Sequence, residues 1–200
     1  MIKTVLLDLG NVIVPFEFKR GYAQMAQLCR YAAAEIPARI RSSDLVTRFE
    51  SGQIDARSFV TQLSALLDLD ITYEGFCDVW MSIFLPEPLI PESLIQKLGE
   101  KHRLLLLSNT NEIHFPMLRE AYPMLRHFDD YILSYQVGAL KPSPAIYQEA
   151  IARAQCRPEE CFFTDDILAY VNAAREHGID AVQFLSLAQL EAELRNRALI

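Results

Sequence analysis

Short apolar runs that alternate with helical patterns are the feature that most limits the folds open to this chain. Five runs are apolar on both faces: Thr4–Leu7, Leu104–Leu107, Tyr131–Ser134, Cys161–Thr164 and Ala181–Phe184. Such runs are typical of strands in a parallel sheet that helices cover on both sides. Helical spacing is found in the stretches between them, at Pro91–Lys101, Ser143–Ala154 and Ile167–His177. The alternation predicts an α/β fold with a doubly wound, Rossmann-like parallel sheet and right-handed crossovers.

A long helical segment interrupts this alternation after the first strand. The sequence shows no clear strand from Phe16 to Ile83, and amphipathic patterns predict four helices there: Lys19–Cys29, Ala38–Glu50, Ala56–Leu67 and Thr72–Phe84. Turn residues such as Pro37 and Ser51-Gly52 separate these patterns. We therefore predict an α/β core formed by residues 1–14 and 86–200, with an α-helical insert at residues 15–85.

Composition excludes several classes of protein. Apolar residues make up 51% of the chain and charged residues 22%, which is typical of a globular protein and not of a disordered one. The net charge of −7 argues against a nucleic-acid partner or an anionic membrane surface. The four cysteines form no CxxC pair, and we find neither a signal-peptide pattern nor an uninterrupted apolar run long enough for a transmembrane helix. We expect a soluble cytoplasmic protein.

Polar residues that could take part in a reaction follow four of the predicted strands. They are Asp8, Ser108 with Asn109, Lys141, and the pair Asp165 and Asp166. Each alone has an ordinary structural explanation, since an aspartate forms turns, a serine caps helices and a lysine lies in solvent. Open α/β sheets, however, bind ligands at the carboxyl ends of their strands, and all of these residues are expected at that one edge.

The residue types at this edge suggest phosphoryl transfer. Three carboxylates in one crevice require a cation, and hard oxygen ligands suit Mg²⁺. A carboxylate can also act as a nucleophile and form an aspartyl phosphate. The phosphoryl oxygens would need positive and hydrogen-bonding groups, which Lys141 and Ser108 can supply.

At this point the chain resembles the haloacid dehalogenase (HAD) superfamily. The resemblance rests on four ordered motifs and a following stretch, which read DLGNVIV, LLLLSNTN, GALKPSPAIY, FFTDD and NAAREHGI. The helical insert looks like the small α-helical cap of one HAD subgroup. The segment RFESGQIDARSF and the DLGNV form of the first motif are similar to HAD-like phosphatases related to bacterial α-D-glucose-1-phosphate phosphatase.

The resemblance implies a role for each of these residues. Asp8 is implied to be the nucleophile, Ser108 binds the transferring phosphoryl group with Asn109 beside it, and Lys141 pairs with the nucleophile and the phosphate. The implied Mg²⁺ ligands are Asp8, the backbone carbonyl of Gly10, Asp165 and Asp166.

The first motif departs from the family pattern at Gly10, where the family usually has a second aspartate. That aspartate protonates the leaving group and later activates water, and such general acid–base catalysis is typically worth ~10²–10⁴ in rate. Either Asn11, a water or the substrate handles the proton, or the leaving group is an easy one, as in an anomeric sugar phosphate. The second explanation predicts that Gly10→Asp raises activity most on alkyl phosphates. The last motif also departs, with Ala169 and Tyr170 at positions where the family often has an acidic residue and an asparagine.

Residues of the cap are expected to determine substrate specificity. Five residues lie near predicted cap hinges or near the loop at Gly52: Phe16, Arg20, Arg48, Phe49 and Glu50. A phenylalanine there could pack on a sugar face, and an arginine could bind a second anionic group. Each could instead be cap core or a solvated side chain.

The sequence thus favours a Mg²⁺-dependent phosphatase, a monomer or homodimer, that acts on a small phosphorylated metabolite, preferably a sugar phosphate. The alternatives are a catalytically weakened HAD domain that binds a ligand or a protein, and a metal-independent 2-haloacid dehalogenase, which the Asp165-Asp166 pair disfavours.

Overall fold

A five-stranded parallel sheet forms the centre of the molecule. The computed structural model describes residues 1–200. Its strands are β1 Thr4–Leu7, β2 Arg103–Ser108, β3 Asp130–Leu133, β4 Cys161–Asp165 and β5 Asp180–Gln183. They are ordered β3-β2-β1-β4-β5, and every neighbouring pair is parallel. The predicted doubly wound α/β sheet is confirmed, and β1 lies at its centre with β2 and β4 on either side.

Five helices follow β1 directly in the chain. They are α1 Phe18–Met25, α2 Ile36–Arg41, α3 Leu45–Glu50, α4 Ala56–Leu67 and α5 Tyr73–Met81. Asp55 and Thr72 cap α4 and α5, because their side chains accept hydrogen bonds from backbone N–H groups in the first turn. These helices fall within residues 15–85, for which a helical cap is predicted, and we call them the cap helices.

The cap helices have a hydrophobic core of their own. Its aromatic members stack on one another, with ring centroids of Phe49 and Phe59 4.2 Å apart and those of Phe76 and Trp80 5.7 Å apart. One sequence expectation is wrong here, because the predicted helix Ala38–Glu50 is two helices, α2 and α3. The break follows from Ser42 and Ser43. Their hydroxyls donate to the carbonyls of Arg39 and Ile40 and so compete with continuation of the helix.

The remaining helices cover the sheet. They are α6 Glu92–Gly99, α7 His114–Ala121, α8 Ser134–Val137, α9 Pro144–Ala154, α10 Leu168–Glu176 and α11 Leu187–Asn196, with short 3₁₀ helices at Pro123–His127 and Pro158–Glu160. Alternate residues of β1 face opposite sides, since Val5 and Leu7 pack with α6, α7 and α11 whereas Leu6 packs with α9 and α10. None of the helices has the length and apolar character that crossing a membrane would require.

The two chain segments that join the cap helices to the sheet run side by side. Glu17 N–H donates to the Ile83 carbonyl at 2.8 Å, and Leu85 N–H donates to the Pro15 carbonyl at 2.9 Å. Phe16 lies between these bonds in an antiparallel bridge with Phe84. The pairing therefore fixes Phe16 at the boundary between the cap helices and the sheet.

Candidate active site

The carboxyl ends of the three central strands bring the predicted acidic residues together. Asp8 directly follows β1, and Asp165 ends β4 beside it. Carboxylate oxygens of Asp8, Asp165 and Asp166 all lie within 4.8 Å of one another. Ser108 ends β2 on the other side of β1 and is buried. Parallel strands end at one edge, so residues far apart in sequence meet there.

Lys141 joins two of these carboxylates. Its Nζ lies 2.7 Å from Asp8 Oδ1 and 2.5 Å from Asp165 Oδ2, and it also donates to the Leu107 carbonyl at 3.0 Å. Only 3% of Lys141, 7% of Asp8 and none of Asp165 is exposed, so solvent does not weaken these contacts. The pairing of Lys141 with Asp8 predicted from the sequence is present, and the contact with Asp165 is an addition.

Asn109 holds the backbone of Lys141. Its Nδ2 donates to the Lys141 carbonyl at 3.0 Å, and its Oδ1 accepts from the Lys141 N–H at 2.7 Å. Both ends of the amide are therefore engaged with the lysine's main chain. The sequence suggested only that Asn109 lies beside the phosphoryl group, so its part in fixing Lys141 comes from the structure.

The charges at this edge do not balance. The pKa of Asp8 is raised to about 7, because burial, together with the neighbouring carboxylate of Asp165, outweighs the opposing effect of Lys141. Burial alone would lower the pKa of Lys141, but attraction to the two carboxylates outweighs burial and raises it. Burial and Asp165 likewise raise the pKa of Asp166. One ammonium thus faces three carboxylates, and an additional cation would relieve the excess negative charge.

The donor set fits Mg²⁺. Carboxylate oxygens of Asp8, Asp165 and Asp166 converge, and the carbonyl oxygen of Gly10 accepts no hydrogen bond from the protein. Asn11 Nδ2 lies 3.4 Å from Asp166 Oδ2 and orients that carboxylate. Hard oxygen donors of this kind are those that Mg²⁺ prefers. These four residues are the ones that would hold the ion.

A pocket opens between this edge and the cap helices. Gly10, Ser108 and Asn109 line it on the side of the sheet edge, and aromatic rings, among them Phe16, form much of its wall. The structure does not bring Arg48 to this pocket, because its guanidinium points toward Asp44, with 3.6 Å between Nη1 and Oδ1. No lysine or arginine lines the pocket, so the predicted binding of a second anionic group by Arg48 has no geometric basis.

The space beside Gly10 is filled by Phe16. A Cβ atom on Gly10 would lie 2.8 Å from Cε1 of the Phe16 ring, which is closer than Cβ atoms in proteins approach other atoms. The ring is held by edge-to-face contacts with Phe18 and Phe84, at centroid distances of 5.0 and 6.0 Å. An aspartate at position 10 would require this ring to move.

Three further residues in or beside the site have roles that sequence reasoning did not assign. Tyr170 places its ring 5.3 Å from Lys141 Nζ and its hydroxyl 3.5 Å from Asn109 Nδ2. His114 is buried with both ring nitrogens engaged, and burial lowers its pKa to about 4. Glu50 reaches the pocket from the end of α3. No local sequence signal distinguishes these residues, because their position depends on how the cap helices meet the sheet.

Known proteins share this architecture over most of the chain. A family model described as haloacid dehalogenase-like hydrolase matches residues 2–178. The D-ribitol-5-phosphate phosphatase of Bacteroides thetaiotaomicron is 27% identical over 189 residues, covering 92% of this chain and 92% of that protein.

Solved structures agree with the family match. A HAD-family enzyme of Bacteroides thetaiotaomicron, solved in complex with magnesium and inorganic phosphate, has a TM-score of 0.85 at 26% identity and covers 94% of this chain and 96% of that one. A HAD-like hydrolase from Porphyromonas gingivalis has a TM-score of 0.81 at 26% identity and covers 98% of each chain. Together with the carboxylates and the lysine at one sheet edge, these likenesses show that the chain belongs to the haloacid dehalogenase-like hydrolases.

Proposed function

We propose that this hydrolase is a Mg²⁺-dependent phosphatase of small phosphorylated metabolites and that its substrate is the phosphate of a sugar or sugar alcohol. The observation that carries the proposal is the contact of Lys141 with both Asp8 and Asp165, beside Asp166, at the sheet edge. A pocket lined by Gly10, Ser108 and Asn109 lies next to this edge. This arrangement provides a nucleophile, a fixed positive charge and a set of oxygen ligands in one place.

In the proposed reaction an oxygen of Asp8 attacks the phosphorus atom, and the bond from phosphorus to the leaving oxygen breaks. Lys141 orients the Asp8 carboxylate at 2.7 Å and balances charge on the phosphoryl oxygens. The Ser108 hydroxyl, which lines the pocket, donates a hydrogen bond to one of those oxygens. When bound, Mg²⁺ supplies charge neutralisation at the phosphoryl oxygens. Water then attacks the aspartyl phosphate, which releases phosphate and restores Asp8.

The lining of the pocket supports an uncharged, hydroxyl-bearing leaving group. Phe16 and Phe84 offer apolar faces, whereas Glu50 and Thr110 offer polar groups, and no cation is present to recognise a second phosphate. A sugar or polyol combines apolar C–H faces with hydroxyls and matches such a wall. The likeness to a D-ribitol-5-phosphate phosphatase supports the same substrate class.

The test is release of inorganic phosphate from purified protein. The substrates are p-nitrophenyl phosphate, ribitol 5-phosphate and a set of hexose 1- and 6-phosphates, each with Mg²⁺ and with a chelator, and the control is Asp8→Asn. We expect Mg²⁺-dependent release that the control lacks, with a polyol or sugar phosphate preferred over p-nitrophenyl phosphate. Absence of turnover above the control would overturn the proposal in favour of a binding module. Metal-independent halide release from a 2-haloacid would instead establish a dehalogenase.

A further inference from the structure

The leaving group in the proposed reaction needs a proton, and the sheet edge does not supply a group to give it. Gly10 has no side chain, and the ring of Phe16 fills the space that a carboxylate at position 10 would enter. Asp8 and Asp165 are bound to Lys141, and Asp166 belongs to the same cluster of candidate metal ligands. A proton donor therefore has to come from another side of the pocket.

Two titratable side chains of acid–base type line the pocket, Glu50 and His114. His114 is not free to exchange protons with a substrate, because Nδ1 contacts Asn111 and Nε2 contacts the Trp80 carbonyl, each at 3.1 Å. The carboxyl group of Glu50 makes no hydrogen bond and no ion pair within the protein, although Glu50 is largely buried. Among the pocket's ionisable groups, Glu50 is thus the one available to a bound molecule.

The backbone around Glu50 is fixed against the core of the molecule. Phe49, the residue before it, is buried and stacks on Phe59. Gly52, two residues after it, has φ +68, and a Cβ atom there would lie 2.1 Å from the carbonyl oxygen of Tyr135 in α8. Only glycine allows the loop to seat this closely. Glu50 is therefore anchored on both sides, and its side chain is presented to the pocket.

The surroundings of Glu50 favour proton exchange near neutral pH. Burial raises its pKa to about 7, and no cation is close enough to oppose this. The titratable groups that share its surroundings are Tyr170 and His114. Burial raises the pKa of Tyr170 and lowers that of His114 to about 4, so both are uncharged near pH 7. A carboxyl of this kind can donate a proton in one step and accept one in the next.

We propose that Glu50 is the general acid and base of the reaction, in place of the carboxylate missing at position 10. As the bond between Asp8 and phosphorus forms and the bond to the leaving oxygen breaks, the Glu50 carboxyl gives its proton to that oxygen. The resulting carboxylate then takes a proton from the water that attacks the aspartyl phosphate, and both groups return to their starting states. This assignment rests on the proposed phosphatase function.

The dependence on the leaving group provides the test. We compare kcat/KM of the wild type and Glu50→Gln on p-nitrophenyl phosphate, whose leaving group departs as a stable anion, and on an alkyl phosphate such as ribitol 5-phosphate. With alkyl phosphate we expect a loss of about 100-fold or more, and with p-nitrophenyl phosphate a loss of no more than a few-fold. The alkyl-to-aryl ratio of the wild type should also fall as pH rises through about 7, because the acid form of Glu50 is lost, whereas the ratio of Glu50→Gln should be flat.

Two controls separate catalysis from structure. Glu112→Gln alters a carboxylate that holds the cap helices in place by accepting from the Ala56 N–H, so it should affect both substrates alike. Glu50→Asp retains an acid and should keep a pH-dependent ratio. An equal loss on both substrates in Glu50→Gln, or an unchanged alkyl rate, would overturn the assignment while the phosphatase function stands. No turnover by the wild type above Asp8→Asn would overturn the proposed function and this assignment with it.

Discussion

Replacing Asp8 with asparagine is expected to stabilise the metal-free protein while it removes the nucleophile. Asp8 and Asp165 share one ammonium group in a buried site, with Asp166 close by. Asparagine has the same shape and can still accept from Lys141, which keeps its contacts with Asp165 at 2.5 Å and with the Leu107 carbonyl at 3.0 Å. The substitution thus removes a repelled negative charge and leaves the hydrogen-bond pattern in place.

The size and sign of the effect follow from the proton affinity of Asp8. Its pKa is raised from the ordinary 3.8 to about 7, chiefly by burial, so the folded state holds this proton more tightly than the unfolded state. Stability is therefore lost as pH rises from about 4 to about 7, and the loss is complete above that window. At about 1.4 kcal/mol per tenfold change in affinity, the penalty amounts to about 4 kcal/mol. Asp8→Asn should lack it.

Urea unfolding in the presence of a chelator measures this difference. We expect Asp8→Asn to exceed the wild type in free energy of unfolding by up to about 4 kcal/mol at pH 8 and by much less at pH 4.5. Mg²⁺ should narrow the gap at pH 8, because it stabilises the wild type. Asp70→Asn, at an exposed aspartate whose side chain has no hydrogen-bond partner, is the matched control and should show no pH-dependent difference. A less stable Asp8→Asn at pH 8, or an equal gap at both pH values, would refute the reasoning.

Three other substitutions test the packing around the site. Gly52→Ala should lower the free energy of unfolding by about 1–3 kcal/mol more than Gly138→Ala. Both residues have positive φ, but only at Gly52 would the added Cβ atom collide with a carbonyl oxygen. Equal losses in urea unfolding would contradict this. Phe59→Ala, in the aromatic stack of the cap helices, should cost about 3–5 kcal/mol in the same assay, and a cost below about 1 kcal/mol would show that this stack is not a packed core. Gly10→Asp by itself should not raise kcat/KM on alkyl phosphates, because the Phe16 ring fills the space that the carboxylate would enter. Phe16→Ala should make room for it, so kcat/KM of the double variant should exceed that of Phe16→Ala alone. A gain from Gly10→Asp alone would show that the ring yields at little cost.

The last of these predictions revises an expectation drawn from the sequence. From the motif alone, Gly10→Asp would supply the missing acid and raise activity most on alkyl phosphates. The structure shows that Gly10 and Phe16 are a matched pair, since the ring lies where the aspartate would project. The absence of an aspartate at position 10 is thus accompanied by an aromatic ring in the space beside it, which substitution of Gly10 alone does not remove.

Much of the fold and of the candidate site could be read from the sequence. The five strands were predicted to within one residue at each end, because buried parallel strands are continuous apolar runs and therefore a local signal. The site followed from the fold, since Asp8, Ser108 and Asp165 each come at the end of a strand and parallel strands end at one edge. The function class followed from the residue types at that edge and from the motifs of the family, and the family is confirmed. The division of the chain at residues 15–85, a cytoplasmic location and the roles of the site residues stay predictions.

What only the tertiary structure decided is how the cap helices meet this edge. The sequence offered Arg48 as a ligand for a second anionic group, but that side chain lies with Asp44 and not at the pocket. Glu50, two residues further along, reaches the pocket instead, because Gly52 seats against α8 and sets the direction of the loop. The positions and ends of the strands are set by local patterns, whereas the side chain that faces a bound substrate depends on packing between residues distant in the chain. The sequence therefore identified the reactive residues at the sheet edge, and the packing of the cap helices determined which of their side chains lies at the pocket beside it.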